Sequence, residues 1–246
     1  MSIIQEQDCG TFKVQLVDLR EPTVTFVDGP RNPLGTIAKL SRGYKGIYSN
    51  STPSDEEIKN AIDDINDTKL QTPYEMMSFV FLIGDVTRSF THQLVRTRVG
   101  ASYVQESMRF IGHKGVYKVL ASHKVKIRGS YDFYLKTVSD AIWAYEALLN
   151  LGVPGEDARD VLPHGIMTQV FVGYALSALV KVYSQRVCCQ AQPGQWQIIA
   201  KKMKELLIEE YGDKISLAVS APFERGEPCG YRASFDRPCS WQKDTQ

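Results

Sequence analysis

The sequence lacks any long apolar run. The longest, Met76 to Gly84 with Ser78 inside it, is far too short to cross a bilayer and predicts a buried strand. A secretory leader is also missing: the chain opens MSIIQEQDCG, with acid and glutamine where a leader has a basic start and an apolar stretch. A soluble cytoplasmic protein is expected. No CxxC pair occurs among Cys9, Cys188, Cys189, Cys229 and Cys239, which disfavours a zinc knuckle, and no metal is expected. An odd number of cysteines in a long chain suits reduced thiols, with a late structural link or metal contact through Cys229 and Cys239 left open. GxGxxG is absent, as is GxxxxGK followed by Ser or Thr, so neither a Rossmann dinucleotide site nor a P-loop is supported. Charge of one sign is lacking as well. A formal net charge of +1 argues against binding nucleic acid through a broad basic face.

What is present suits one large domain: 246 residues with 43% hydrophobic side chains can bury a proper core. Residues 12–18 and 23–27 read as strands, and a short helix follows Asn32-Pro33 as far as Gly43. Ser54 caps a helix with Asp55, Glu56 and Glu57 in its first turn and an Ile58, Ala61, Ile62, Ile65 stripe. After the Thr72 to Glu75 turn and the apolar strand, Asp85 is expected to cap the next helix. A long helix is predicted from Tyr131 to Leu151, burying Phe133, Leu135, Val138, Ile142, Tyr145, Leu148 and Leu149, with Gly152 ending it. Helical spacing is also read over Thr168 to Arg186 and Gln192 to Tyr211. The segment from Gly112 to Arg128 reads as a basic connector, and the tail from about 220 to 246 as coil.

Against this balanced background one stretch stands apart. Arg88 to Phe110 carries Arg88, Arg96, Arg98, Arg109 and His92 against one acid, Glu106. At helical spacing Arg88, His92 and Arg96 share a face, where like charges repel unless an anion is near. A guanidinium offers a planar fork of donors matched to phosphate oxygens, and a hydroxyl such as Ser107 adds a neutral donor. Surface ion pairs are the ordinary account of a single arginine, and His92 is as well explained by a structural role. Four arginines in so short a span favour an anionic ligand. Gly100 is expected to break the helix and let the backbone approach that ligand.

Arg96-Thr97-Arg98 with Ser102, Gln105, Ser107 and Arg109 resembles the signature of flavin-dependent thymidylate synthases, Arg-His-Arg followed about seven residues later by Ser. Four further matches keep the family's order: Thr72-Pro73-Tyr74-Glu75, Gln93-Leu94-Val95-Arg96, Ala158-Arg159-Asp160-Val161-Leu162-Pro163, and Arg186 ahead of Gln195-Trp196. The resemblance implies an α/β fold in one domain over residues 1–246, with a small mixed or antiparallel sheet flanked by several long helices. It implies a homotetramer with active sites at subunit interfaces, FAD as cofactor, and reductive methylation of dUMP to dTMP using methylenetetrahydrofolate and NADPH. By that likeness Gln93, Arg96, Gln105, Ser107, Arg109 and Arg159 hold dUMP, Arg159 reaching in from a neighbouring subunit. Thr72, Arg96, Thr97, Arg98, Gln105 and Lys181 face the flavin, and Arg186 binds and polarises the uracil ring as the catalytic residue.

The chain departs from the pattern in places. Thr97 replaces the central His of the signature, one extra residue near Val99-Gly100 lengthens the spacing to Ser107, and Leu70, Ala175, Ser177 and Lys181 stand where the family has His, Asn, Arg and Asn. These positions motivate a second reading, a relative that adds hydroxymethyl or takes another pyrimidine. A third is a nucleotide-binding protein without catalysis, and a fourth a thymidylate synthase using Cys229 or Cys239 as nucleophile.

Overall fold

The computed structural model describes residues 3–17, 22–108, 115–121, 125, 128–188 and 194–227. They form a mixed α/β structure that separates into two compact units. One comprises Met1–Thr23, Ile83–Arg96 and Val104–Val170; the other comprises Val24–Leu82, Thr97–Tyr103 and Phe171–Gln246.

In the first unit, β1 (Ile3–Asp8) pairs antiparallel with β2 (Lys13–Val17), and β2 pairs parallel with β6 (Val116–Leu120). Neither β1 nor β6 is foreseen from the sequence, because β6 lies in the stretch read as a basic connector. Its pattern becomes clear only once Tyr117 and Val119 are seen beneath α5 (Tyr131–Asn150), with Lys118 on the opposite face. Phe12, Val14 and Leu16 meet Leu135, Val138, Ile142 and Tyr145 in this core. Each such aliphatic side chain contributes about 2 kcal/mol by leaving water. Phe133, expected inside, is 76% exposed. The neighbouring Tyr134 turns inward instead, and its hydroxyl donates to the Leu120 carbonyl at 2.9 Å.

The second unit holds α1 (Pro33–Tyr44), whose cap Asn32 accepts from the Gly35 N–H at 2.9 Å, and α2 (Asp55–Thr68), whose expected capping box between Ser54 and Glu57 is present. The short α3 (Thr72–Glu75) buries Pro73 and Tyr74. It packs on α7 (Leu176–Val187), which in turn packs on α8 (Gln195–Tyr211).

A four-stranded sheet runs in the order β3 (Thr23–Asp28), β4 (Ser78–Thr87), β7 (Met167–Ala175), β5 (Ala101–Gln105). Two expectations change here. Asp85 caps no helix. It lies within β4 at φ +56, a left-handed conformation that aspartate tolerates better than most residues, and the cap is Thr87, whose hydroxyl accepts from the Phe90 N–H at 3.1 Å. The helix it starts, α4 (Arg88–Leu94), ends at the cap Val95 and leaves Arg96 beyond its end. Residues 167–175 are strand where helix was expected. Thr168, Val170, Val172 and Tyr174 are buried at a period of two, and the helical period begins only at Leu176. The remaining short elements are α6 (Gly155–Ala158), a 3-10 turn at Arg159–Val161, α9 (Ile215–Ala218) and a 3-10 turn at Pro222–Arg225.

Candidate active site

Two groups of side chains carry the chemistry, one in each unit. In the first unit a cavity of about 400 Å³ is lined by Arg88 and His92 of α4, by Arg159 and Asp160 of the 3-10 turn, and by His164. The main chain fixes this arrangement: the Arg88 N–H donates to the Ile166 carbonyl and the Ser89 N–H to the His164 carbonyl, both at 3.1 Å. Gly165 lies between these acceptors, and a Cβ there would collide with the Tyr134 hydroxyl and press on the Leu120 carbonyl. That contact explains the glycine. It lets the loop seat against β6 and turn His164 toward His92, whose ring centre lies 5.2 Å away.

The Arg88 guanidinium donates to the Glu106 main-chain carbonyl at 2.9 Å. The Glu106 carboxylate itself accepts from the Thr168 hydroxyl at 3.2 Å. Burial lowers the proton affinity of Arg88 below its ordinary value, the Glu106 charge opposes that, and Arg159 adds to it. Two guanidiniums thus repel across a partly dry cavity in which, among the described lining residues, Asp160 is the single acid. Gln105, expected at the ligand, donates to the Thr91 hydroxyl at 2.7 Å.

In the second unit the Arg186 guanidinium lies 4.6 Å from the centre of the Trp196 ring. Burial lowers its proton affinity, with the nearby Tyr174 opposing the shift. The Tyr174 hydroxyl is buried, which holds its pKa well above the ordinary tyrosine value. Tyr103 meets the Tyr174 ring edge-on at 6.4 Å and donates from its hydroxyl to the Thr97 carbonyl at 2.7 Å. The turn at Thr97 is thereby tied through two aromatic rings to the neighbourhood of Arg186. Gly100 sits at φ +68 with its carbonyl accepting from the Ala175 N–H at 2.7 Å. A Cβ would stand 3.1 Å from Ala178 and 3.2 Å from Ala175. The expected close approach is thus met by the start of α7.

Residues 25–211 match the family model described as thymidylate synthase complementing protein. The chain belongs to this family. It is 36% identical over 186 residues to the flavin-dependent thymidylate synthase of Saccharolobus solfataricus, covering 74% of this chain and 70% of that one. It is 32% identical over 192 residues to the flavin-dependent thymidylate synthase of Pyrococcus furiosus, covering 74% and 77%. Among solved structures, a UMP/dUMP methylase, PolB, from Streptomyces cacaoi bound with 5-Br dUMP aligns at a TM-score of 0.65 and 18% identity. The alignment covers 84% of this chain and all of that one, and it bears on the fold alone.

Of the residues that the family resemblance points to, Arg159 lines the first cavity, and Thr97 and Arg186 belong to the linked aromatic group of the second unit. Gln93, Arg96 and Arg98 are exposed, as is Thr72 at the start of α3. Ser107 is half-buried. Lys181 lines a different recess, of about 240 Å³, with Lys69 and Arg225. Arg109, Cys189, Cys229, Cys239 and the tail from 228 onward lie outside the described residues. Sequence reasoning assigned no role to Tyr103, Tyr174 or His164. Tyr103 sits inside the signature stretch, and its ring, the single aromatic of the strand ASYVQ, is the signal that was available. Tyr174 and His164 carry no comparable mark. Among the described residues no cluster of His, Cys, Asp or Glu converges to hold a metal, and no helix there is long and apolar enough to cross a membrane.

Proposed function

We propose that this chain is a flavin-dependent thymidylate synthase that methylates dUMP to dTMP, with methylenetetrahydrofolate as carbon donor and NADPH as reductant. The observation that carries this reading is the 36% identity to a flavin-dependent thymidylate synthase across 74% of the chain. The family match at residues 25–211 draws on both units, which supports treating residues 1–246 as one catalytic domain. A homotetramer in the cytoplasm, with active sites shared between subunits, completes the reading.

The side chains present fit a flavin. Arg96 and Arg98 are exposed and, among the described residues, neither guanidinium is in an ion pair. Together with the exposed Thr72 hydroxyl they supply the charged and neutral donors that a dinucleotide phosphate needs. Thr97 lies between them in the chain with its carbonyl accepting from the Tyr103 hydroxyl, and Gln105 and Lys181 are the remaining residues of this set. When bound, FAD supplies the hydride that reduces the folate-derived methylene to methyl, chemistry that belongs to the cofactor.

The chain's own residues act on the pyrimidine. Uracil C5 becomes nucleophilic only when negative charge at N3 and O4 is stabilised, and Arg186 supplies a permanent positive charge for this. Its perch on Trp196 restricts the rotamers of a long side chain, so the charge is held in place before substrate arrives. Gln93, Arg96, Ser107, Arg109 and Arg159 hold the nucleotide. No cysteine nucleophile is required.

Purified protein supplied with flavin, dUMP, methylenetetrahydrofolate and NADPH is expected to form dTMP, identified by mass. A hydroxymethyl product would replace this reading with that of an altered pyrimidine enzyme. A colourless protein that takes up no flavin would overturn it.

A further inference from the structure

The chain departs from the family pattern at two places far apart in sequence: an extra residue near Val99-Gly100, and small residues, Ala175 and Ser177, where the family has Asn and Arg. These two places meet in the fold. Gly100 sits at φ +68 with its carbonyl accepting from the Ala175 N–H at 2.7 Å. A Cβ on it would stand 3.1 Å from the Ala178 Cβ, 3.2 Å from the Ala175 Cβ and 3.9 Å from the Ser177 Oγ. We propose that Gly100 is a positioning residue for the flavin: the lengthened turn closes on the start of α7 only because Gly100 and Ala175 both lack bulk, and this closure fixes where Arg98 offers its guanidinium. The inference rests on the reading of this chain as a flavin enzyme. It makes the extra residue and the missing Asn one matched change.

The turn is tied to the same stretch at a second point. The Tyr103 hydroxyl donates to the Thr97 carbonyl at 2.7 Å, and the Tyr103 ring meets the Tyr174 ring edge-on with 6.4 Å between centres. Tyr174 is buried and immediately precedes Ala175. Thr97 and Gly100 are thus both anchored to residues 174–178, and only Arg98 and Val99 lie between the anchors. Both are exposed, so neither side chain packs the turn in place. Main-chain anchors on each side of Arg98 remove freedom that a bound phosphate would otherwise have to take from the loop. The alternative is that Gly100 only supplies a left-handed backbone conformation. Against it, carbon atoms rest at about 3.5–4.0 Å, so the gap to Ala175 and Ala178 rejects a side chain even where φ suits one. Ala175 itself points the same way. It opens α7 without a side-chain cap, at a position that favours asparagine over alanine, and the turn lying against it accounts for the small residue.

The test titrates FAD into the full-length protein, freed of any flavin carried through purification, and follows the flavin absorbance band. The wild type is compared with Gly100→Asn, Ala175→Asn, deletion of Gly100, and Ala175→Asn combined with that deletion; melting temperatures are recorded for all. Asparagine accepts a left-handed conformation, so Gly100→Asn probes bulk apart from backbone strain. Expected is a loss of about tenfold in FAD affinity for each single change. The combined variant is expected to return to within about threefold of the wild type, because shortening the turn makes room for the larger side chain. Losses that simply add, or that follow the melting temperature without rescue, mark a glycine with a structural role alone; the inference then falls and the functional reading stands. Ala175→Asn lies at a helix cap that accepts asparagine, so it keeps the test decisive if the turn variants do not fold: unchanged FAD affinity in it overturns the inference. A wild type that takes up no FAD overturns the inference and the functional reading together.

Discussion

The two arginine sites of this molecule are built in opposite ways. Arg88 is held by the Glu106 main-chain carbonyl, with the Glu106 charge and a second guanidinium, Arg159, both acting on it. Arg186 rests on an indole face near a buried phenol, so its charge is oriented by neighbours that do not compete with a ligand for full ion pairing. The first arrangement suits gripping a charge already present in a substrate. The second suits stabilising one that develops during reaction, because a site fixed beforehand needs no rearrangement as charge appears. One residue type thus stands in two different electrostatic surroundings.

The largest effect that would sharpen this contrast is on turnover. Arg186→Ala is expected to lower kcat by about 100-fold or more while flavin content, read from the absorbance spectrum, stays near that of the wild type. Arg98→Ala should do the reverse, weakening flavin by about tenfold with a smaller change in turnover per bound flavin. Equal flavin loss in both variants would break the assignment. Tyr103→Phe removes the bond to the Thr97 carbonyl and should cost about 1 kcal/mol of stability, measured by denaturant unfolding. No change would mean that the signature turn is held by other contacts.

The smallest expected effect is on the alkaline limb of stability. Burial raises the folded-state pKa of Tyr174, so its contribution is complete below roughly pH 10, the ordinary tyrosine range, and is lost as pH rises beyond it. Tyr174→Phe should flatten that decline when unfolding is followed against pH. Tyr183, whose pKa burial also raises, keeps the flattening partial.

Much of this was legible in the chain. The capping box at Ser54, the buried stripe of α5 and the apolar strand before Thr87 rest on local rules of capping and periodicity, which act within a few residues. The cationic concentration at Arg88 to Arg109 was equally plain, as were the ordered motifs shared with the flavin-dependent thymidylate synthases. Residues 167–175 were harder, because Val170, Phe171 and Tyr174 satisfy helical spacing as well as a strand. Burial of alternate residues within the four-stranded sheet decided the matter. Arg96 left the expected helical face because the helix stops at Leu94 with Val95 as its cap, so Arg96 lies beyond its last turn.

The sequence by itself determined the family and the concentration of arginines between Arg88 and Arg109, because these follow from composition and order along the chain. Only the tertiary structure decided which arginine faces what. His164 is separated from His92 by 71 intervening residues and Tyr174 from Tyr103 by 70, and no local rule specifies such pairs. They are set by strand order and by the close approach that Gly165 and Gly100 allow, which makes the environment of each guanidinium a property of the fold.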